Sequence, residues 1–343
     1  MKSTIAGKQL LSFLFDILGV VRWKLKAVHP DAFVILMYHR VLPPKHTIDV
    51  EPGMYVTPRT FNIHLSYLKR YFRVVSINEI VDLAKNEKIG ERGKPLCVLT
   101  FDDGWQDFYK YAFPVLNKHK LPATVFLPTD FIGTDNLFWT DRLAQILALE
   151  DLSLQADIQT GSFNKNIILD CFKKLHGAFE TRLEKTLNIL KKFNEDEIEE
   201  ALLDLSSRLQ LTDRDNDRVF LNWDEVKELS GSGFITFGSH TASHKILTTL
   251  NDEEILQELT KSRDTLISQL AVDPNCIPFC YPNGNFNPRI AEMVKNSGYA
   301  LAVTTKKGWN DQDTDLFTLR RIGLHQDISS TRPMFSCRIT SIF

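Results

Sequence analysis

Cysteine is scarce in this 343-residue chain, and the five present are scattered: Cys97, Cys171, Cys276, Cys280 and Cys337. Only Cys276 and Cys280 are close, and no Cys-x-x-Cys pair occurs. An odd, dispersed set of this kind favours reduced structural thiols and a cytoplasmic setting over an oxidising one. A dominant charge is also missing. The formal net charge of −2 gives no case for nucleic acid as a partner. There is no serine-nucleophile motif, phosphate-cradling glycine loop or dinucleotide fingerprint. What is present is an ordinary globular composition, 43% hydrophobic and 24% charged, long enough for one large α/β domain with an insertion, or for two domains.

The first thirty residues carry a dense apolar run, Leu10, Leu11, Phe13, Leu14, Phe15, Ile17, Leu18, Val20 and Val21. Lys8, Ser12, Asp16 and Gly19 are spaced to fall on one stripe, and Arg22, Lys24 and Lys26 follow at once. At about a dozen residues the run is short of the roughly 20 that span a bilayer. Asp16 lies inside it and no small-x-small site follows, which argues against a signal peptide. Two readings stand: an amphipathic helix over residues 9–26 lying on a membrane surface, or an extra helix packed on the protein.

The most informative stretch is Leu96-Cys97-Val98-Leu99-Thr100-Phe101-Asp102-Asp103-Gly104. Its mostly apolar start reads as a buried strand, stopped by two carboxylates and a glycine. Side-by-side carboxylates are costly to desolvate unless something positive accompanies them. Taken alone, the stretch is equally a strand running into an Asp-Gly turn. Far downstream, the strand-like Phe234-Ile235-Thr236-Phe237 leads into Gly238-Ser239-His240-Thr241-Ala242-Ser243-His244. Histidines four apart lie on one face of a helical turn, roughly 5–6 Å between Cβ atoms. A lone pair at that spacing is commonly a surface coincidence. Two histidines and an aspartate at strand ends, however, make the three-ligand, open-position set of a catalytic metal site.

Thr100-Phe101-Asp102-Asp103-Gly104 followed by His240-Thr241-Ala242-Ser243-His244 resembles the first two motifs of the polysaccharide deacetylase (NodB-homology, carbohydrate esterase 4) family. Ile35-Leu36-Met37-Tyr38-His39-Arg40-Val41 is similar to the first strand of its exopolysaccharide-deacetylase subgroup. The resemblance covers about residues 33–130 and 218–326. It implies a distorted (β/α) barrel of about seven parallel strands and a hydrolase that removes N-acetyl groups from hexosamines. Asp103, His240 and His244 would bind one divalent metal ion, usually Zn2+, with Asp102 as general base. The third motif, Phe279-Cys280-Tyr281-Pro282-Asn283-Gly284, would put Tyr281 and Asn283 at the substrate, with the Tyr281 N–H on the oxyanion. His325 in Ile322-Gly323-Leu324-His325 would be the general acid, with an imidazole pKa near neutrality. One departure stands out: family members carry an arginine bracing the base where this chain has Cys280. His39 is a candidate for part of that support, or a core histidine.

The rest of the pattern alternates strand and helix, as a parallel sheet with outer helices requires. Expected helices are Thr57–Tyr71, a segment capped by Asn78 to about Lys88, Trp105–Lys118 interrupted near Pro114, Asn222–Ser230, Asn251–Leu270 and Asn287–Ser297. From about Asp135 to Asp217 the rhythm breaks into a polar, helix-periodic segment, for example Leu183, Leu187, Leu190 and Ile198, Leu202, Leu205. The expected organisation is an N-terminal helix over 1–30, a barrel over 31–326 interrupted by a helical insertion at 135–217, and a tail over 327–343. Trp105, Trp139 and Trp309 are candidates to stack on sugar rings, or core residues. The expected partner is an N-acetylated glycan, in a polymer or a lipid-linked precursor of exopolysaccharide, met on the cytoplasmic side and near the membrane. Rival readings are a hydrolase of non-sugar amides or imides, and a catalytically silent glycan-binding scaffold.

Overall fold

Leu96–Phe101 contains no turn former and all six residues are buried, which marks a strand covered on both faces, as in a parallel sheet. In the computed structural model, which describes residues 2–29, 31–47, 50–85, 93–149, 178–193, 195–209 and 218–342, this strand is where a barrel closes. Ten strands are described: β1 (Phe33–Tyr38), β2 (Arg40–Val41), β3 (Tyr55–Val56), β4 (Arg73–Val75), β5 (Leu96–Phe101), β6 (Ala123–Leu127), β7 (Ile235–Ser239), β8 (Pro278–Cys280), β9 (Leu301–Lys307) and β10 (Leu319–Gly323). Seven form a closed parallel ring in the order β1-β5-β6-β7-β8-β9-β10, with β10 returning to β1. β4 lies outside the ring and shares one edge of β5 with β6. It pairs with Leu96 to Val98, while β6 takes Thr100 and Phe101. β2 and β3 make a separate two-stranded sheet.

The outer helices start where side-chain caps allow. Thr57 Oγ1 accepts the Thr60 N–H at the head of Pro58–Tyr71. Asn222 with Glu225, and Asn251 with Glu254, form reciprocal capping boxes for Trp223–Gly231 and Asp252–Gln269. Asn287 caps Pro288–Asn296. The expected cap Asn78 is displaced: Ser76 Oγ accepts the Glu79 N–H at 3.2 Å, so the helix already begins at Ile77. The expected end of that helix near Lys88 falls outside the described residues. The break foreseen near Pro114 is a single π-turn over Phe108–Ala112, followed by Phe113–His119.

The ends of the chain fold with the barrel. Residues 1–43, 53–134 and 220–343 form one compact unit. The N-terminus carries two helices, Lys2–Ile17 and Val20–Lys26, parted by Gly19 in the left-handed region at φ 72°. The stretch 327–343, expected as a tail, contains the helix Arg332–Ile339 with Phe335, Cys337 and Ile339 fully buried.

The second unit comprises residues 44–52 and 135–219. Its described helices are Trp139–Leu147, Phe179–Leu190 and Glu195–Arg208. They bury Leu143, Leu183, Leu190, Ile198, Leu202 and Leu205 in a core of their own.

Candidate active site

Asp102 and Asp103 follow directly on β5, at the carboxyl end where a barrel gathers its polar groups. Asp103 (φ 74°) and Gly104 (φ 66°) are both left-handed, and a Cβ on Gly104 would lie 2.8 Å from the Leu127 side chain. Glycine is therefore required there, and the turn drives the Asp103 carboxylate back towards the barrel mouth. Trp105 holds it there: its indole N–H donates to Asp103 Oδ2 at 2.9 Å. The indole stacks on Phe220 (4.9 Å between centroids) and lies beneath the Arg40 guanidinium (4.3 Å), which Asp107 anchors at 2.7 Å.

Asp103 Oδ1 lies 3.4 Å from His240 Nε2 and 3.4 Å from His244 Nε2. That is long for a hydrogen bond, but it is the edge of a tetrahedron whose ligands sit about 2.1 Å from a central ion, the Zn–N and Zn–O range. The remaining ligand atoms fit the same purpose. His240 Nδ1 donates to Cys280 O at 2.8 Å, which fixes the tautomer whose Nε2 lone pair faces Asp103. Two imidazoles and a carboxylate suit zinc or another divalent transition ion, so the residues fit the expected metal. Burial alone would raise the Asp103 carboxyl, but the His240 and His244 contacts outweigh it and hold it well below the usual carboxylate range. His240 is shifted the other way: burial would lower it, yet Asp103 and Asp102 raise it.

The histidine pair does not ride on a helical turn. His240 to His244 is an irregular loop after β7, with Thr241 and His244 both at φ 63°. Asp103, Thr241, His244 and Asn283 account for four of the six described non-glycine residues at positive φ, so backbone strain concentrates at this mouth. Glu258, from Asp252–Gln269, pins the loop. It accepts the Ala242 N–H (2.9 Å), the Ser243 N–H (2.8 Å) and the Ser243 hydroxyl (2.6 Å).

Asp102, 3% exposed, stands apart from this trio. Arg321 of β10 grips it with both ends of the guanidinium, Nη1 to Oδ1 at 2.7 Å and Nη2 to Oδ2 at 2.8 Å. Arg321 also donates to Thr304 O and Thr100 Oγ1, and Nη2 lies 3.2 Å from Cys280 Sγ. The brace absent at Cys280 thus arrives from another strand, β10, and passes against the Cys280 sulfur. Burial would push Asp102 up, but the charge and paired hydrogen bonds of Arg321 hold it below the ordinary carboxylate value. His39 is adjacent, with Nε2 3.9 Å from Asp102 Oδ2, beyond hydrogen-bonding distance. Asp102, His240 and Cys280 also cluster closely enough to suggest a cation site. There, however, both Asp102 oxygens are taken by Arg321, and burial pushes the Cys280 thiol far above its usual pKa, so it stays protonated.

Two expectations change, at Tyr281 and His325. The Tyr281 N–H, expected to face an oxyanion, donates to Val303 O at 3.3 Å in the β8–β9 ladder, and its hydroxyl to Phe317 O at 3.0 Å. Asn283 sits exposed on the following turn at φ 55°. His325, expected near neutrality, is lowered to about 4 by burial, with Arg338, His39 and Lys8 adding to the shift. Its Nδ1 is enclosed without a hydrogen-bond partner among the described residues. Trp105 is 1% exposed and Trp139 is 9% exposed, while the Trp309 N–H is tied to Ile339 O. Trp139 and Trp309 serve packing, and Trp105 both packs and orients Asp103.

Replacing Trp105 by phenylalanine keeps the stack on Phe220 but removes the donor to Asp103 Oδ2. Metal affinity should fall by about tenfold to a hundredfold, the usual effect of losing a group that orients a ligand. Competition with a chelator checks it, and an unchanged affinity would remove Trp105 from the support of the site.

A family model described as polysaccharide deacetylase matches residues 89–154 and 171–302 of the chain. YxkH of Bacillus subtilis, named as a polysaccharide deacetylase, is 21% identical over 310 residues, covering 90% of this chain and 76% of that protein. The poly-beta-1,6-N-acetyl-D-glucosamine N-deacetylase of Staphylococcus epidermidis is 34% identical over 82 residues, 24% of this chain and 27% of that enzyme. Among solved structures, the fold matches the Streptococcus pyogenes deacetylase PplD in complex with acetate (TM-score 0.56, 21% identity, 87% of this chain and 95% of that one). It also matches IcaB from Ammonifex degensii (TM-score 0.56, 20% identity, 91% and 98%).

Proposed function

Since the chain belongs to the polysaccharide deacetylase family, we propose that it is a metal-dependent hydrolase removing the N-acetyl group of a hexosamine in a glycan. The observation that carries this reading is the convergence of Asp103 Oδ1, His240 Nε2 and His244 Nε2 at 3.4 Å separations beside a separate, arginine-gripped Asp102. A glycan-binding scaffold needs neither an open ligand set nor a second buried carboxylate. The substrate class follows the staphylococcal relative, which acts on poly-N-acetylglucosamine by its name.

A divalent ion held by the trio, with zinc the best match to the donors, would polarise the acetamide carbonyl and acidify water. The protein's own part is general acid–base chemistry. Asp102, kept ionised by Arg321, takes the proton of the attacking water. The Arg321 fork aims one carboxylate edge and keeps it from turning to the cation. Because the Tyr281 N–H is committed to the sheet, the turn at Asn283 is the part of the third motif left to meet the substrate. His325 rests neutral at pH 7; negative charge developing on the substrate raises its proton affinity, so it takes up the proton that Asp102 received from water and passes that proton to the leaving amine.

Acetate release from a chitooligosaccharide, measured with the metal-loaded enzyme, tests the reading. Release from N-acetyl but not O-acetyl or non-sugar amide substrates is the expected result. A protein that binds about one divalent ion per chain yet releases acetate from none of them is a scaffold.

A further inference from the structure

The N-terminal helices are built inside out. On Lys2–Ile17 the side turned to the protein holds Ser12, fully buried, and the half-buried Phe15 and Asp16. The opposite arc carries Leu10, Leu11, Phe13, Leu14 and Ile17, between 46% and 64% exposed. Leu18, at 72%, and Trp23 of Val20–Lys26, at 67%, extend it. Seven of the nine exposed large hydrophobic side chains described fall within these fourteen positions. In a helix lying on a water-facing surface the apolar arc faces the core; here it faces away.

The orientation is fixed by contacts rather than left to chance. Lys24 Nζ donates to Thr340 O and Ser341 O at 3.1 and 3.2 Å, Val21 is 1% exposed, and the Cys337 thiol reaches Ser12 O. The helices therefore seat on Arg332–Ile339, the segment that follows His325 through Gln326–Ser329. Arg338 of that same helix donates to Gly323 O at the end of β10. The Lys8 ammonium is close enough to His325 to contribute to its lowered pKa. The apolar arc thus borders the end of the barrel that carries the acid–base and ligand groups.

What covers it is indicated by charge. The segment from 7 to 26 carries Lys8, Arg22, Lys24 and Lys26 against one acid, Asp16, which is turned towards the protein. An exposed tryptophan beside basic residues at the edge of an apolar arc matches the headgroup level of a bilayer. A second copy of a chain with net charge −2 offers no comparable complement. Among the described residues no helix is long and apolar enough to cross a membrane, which leaves attachment in the plane of the interface.

We propose that Leu10 to Trp23 docks the protein on an anionic phospholipid bilayer and so presents the barrel mouth to an acetylated glycan carried on a lipid. The docking stands on the helix geometry alone, whereas the nature of the cargo rests on the deacetylase reading above. Apolar side chains enter the acyl boundary, and Arg22 and Lys26 meet lipid phosphates, each worth about a fivefold gain in partition.

The test uses the full chain, loaded with zinc, and vesicles of phosphatidylcholine with or without one-quarter phosphatidylglycerol. Wild-type protein should sediment with the anionic vesicles at least tenfold better than with the neutral ones. The triple variant Phe13→Ser, Leu14→Ser, Ile17→Ser should lose at least tenfold of that binding while keeping wild-type circular dichroism and acetate release from soluble chitotetraose. On vesicles bearing a polyprenyl-linked N-acetylglucosamine, its turnover should drop about tenfold below wild type. Docking is overturned by wild-type protein that stays in the supernatant. It is equally overturned by a concentration-dependent dimer in sedimentation analysis that the same substitutions abolish without any effect on vesicles. The lipid-borne cargo is overturned if docked wild type and variant turn over the vesicle substrate alike. Loss of chitotetraose activity in wild type would instead strike the deacetylase reading and leave the sedimentation result standing.

Discussion

Asp102→Asn should cut turnover by about a thousandfold while leaving about one metal ion per chain. The amide cannot take a proton from water, and general bases of this kind contribute roughly 10²–10⁴ to rate. The ligand trio is untouched, because Arg321 rather than the cation holds Asp102. The same change leaves the buried Arg321 guanidinium without its counter-charge, so stability at pH 7 should fall by about 3 kcal/mol. The sign of the pH dependence follows from the depressed carboxyl. A group whose folded pKa lies below its unfolded value stabilises above the unfolded value, near 4 for a carboxylate, and loses that contribution as pH falls through the folded one. Wild type should therefore lose stability on acidification in this range, while the variant starts lower and changes less there. Urea titrations at pH 7 and pH 3.5 show this, and steady-state acetate release shows the rate. Turnover equal to wild type would take Asp102 out of the chemistry.

His244→Ala should release the metal. His244 is the rim member of the trio, with its side chain 25% exposed against 3% for His240, so its loss costs the fold little and the site one of three ligands. After dialysis against a weak chelator, metal content should drop from about one to under about a tenth per chain, and activity should fall with it. Added zinc at high concentration should restore part of the rate, since Asp103 and His240 are still aimed by Trp105 and Cys280 O. Wild-type metal content in this variant would falsify the ligand assignment. His325→Ala, by contrast, should leave the metal in place, which separates a ligand from an acid.

Much of this architecture can be read from local signals. Thr57, Asn222, Asn251 and Asn287 each cap the helix that their identity announces, because a cap is a contact between near neighbours. The strands of the ring follow from short apolar runs, for the same reason. The shortfalls lie where a side chain's partner is far off in sequence. Arg321 shares with Leu319 and Ile322 the buried positions of β10 while Arg320 is exposed. The clue available was that a buried arginine demands a carboxylate, and one stood waiting after β5. Glu258 holds the loop at Ala242 and Ser243 from a helix that follows it in the chain, and no local signal marks that contact. The histidine spacing suggested a helical turn, yet Thr241 takes a left-handed backbone that a β-branched residue rarely adopts. Nothing in the string of letters marks such a residue, because the strain is imposed by Glu258 and the strands around it. The pKa of His325 is hidden for a related reason: it is lowered by burial, with the charges of Arg338, His39 and Lys8, distant in sequence, adding to the shift.

The grip of Arg321 on Asp102 joins positions 219 apart, and this sets an order of events. During synthesis, β5 emerges with its two acids long before β10 exists. Until the final strand slots between β9 and β1, the future base is a loosely aimed, hydrated carboxylate and the barrel has a missing stave. A chain that lacks β10 loses the guanidinium that aims its base. The arginine is at once a brace and a proof of completion.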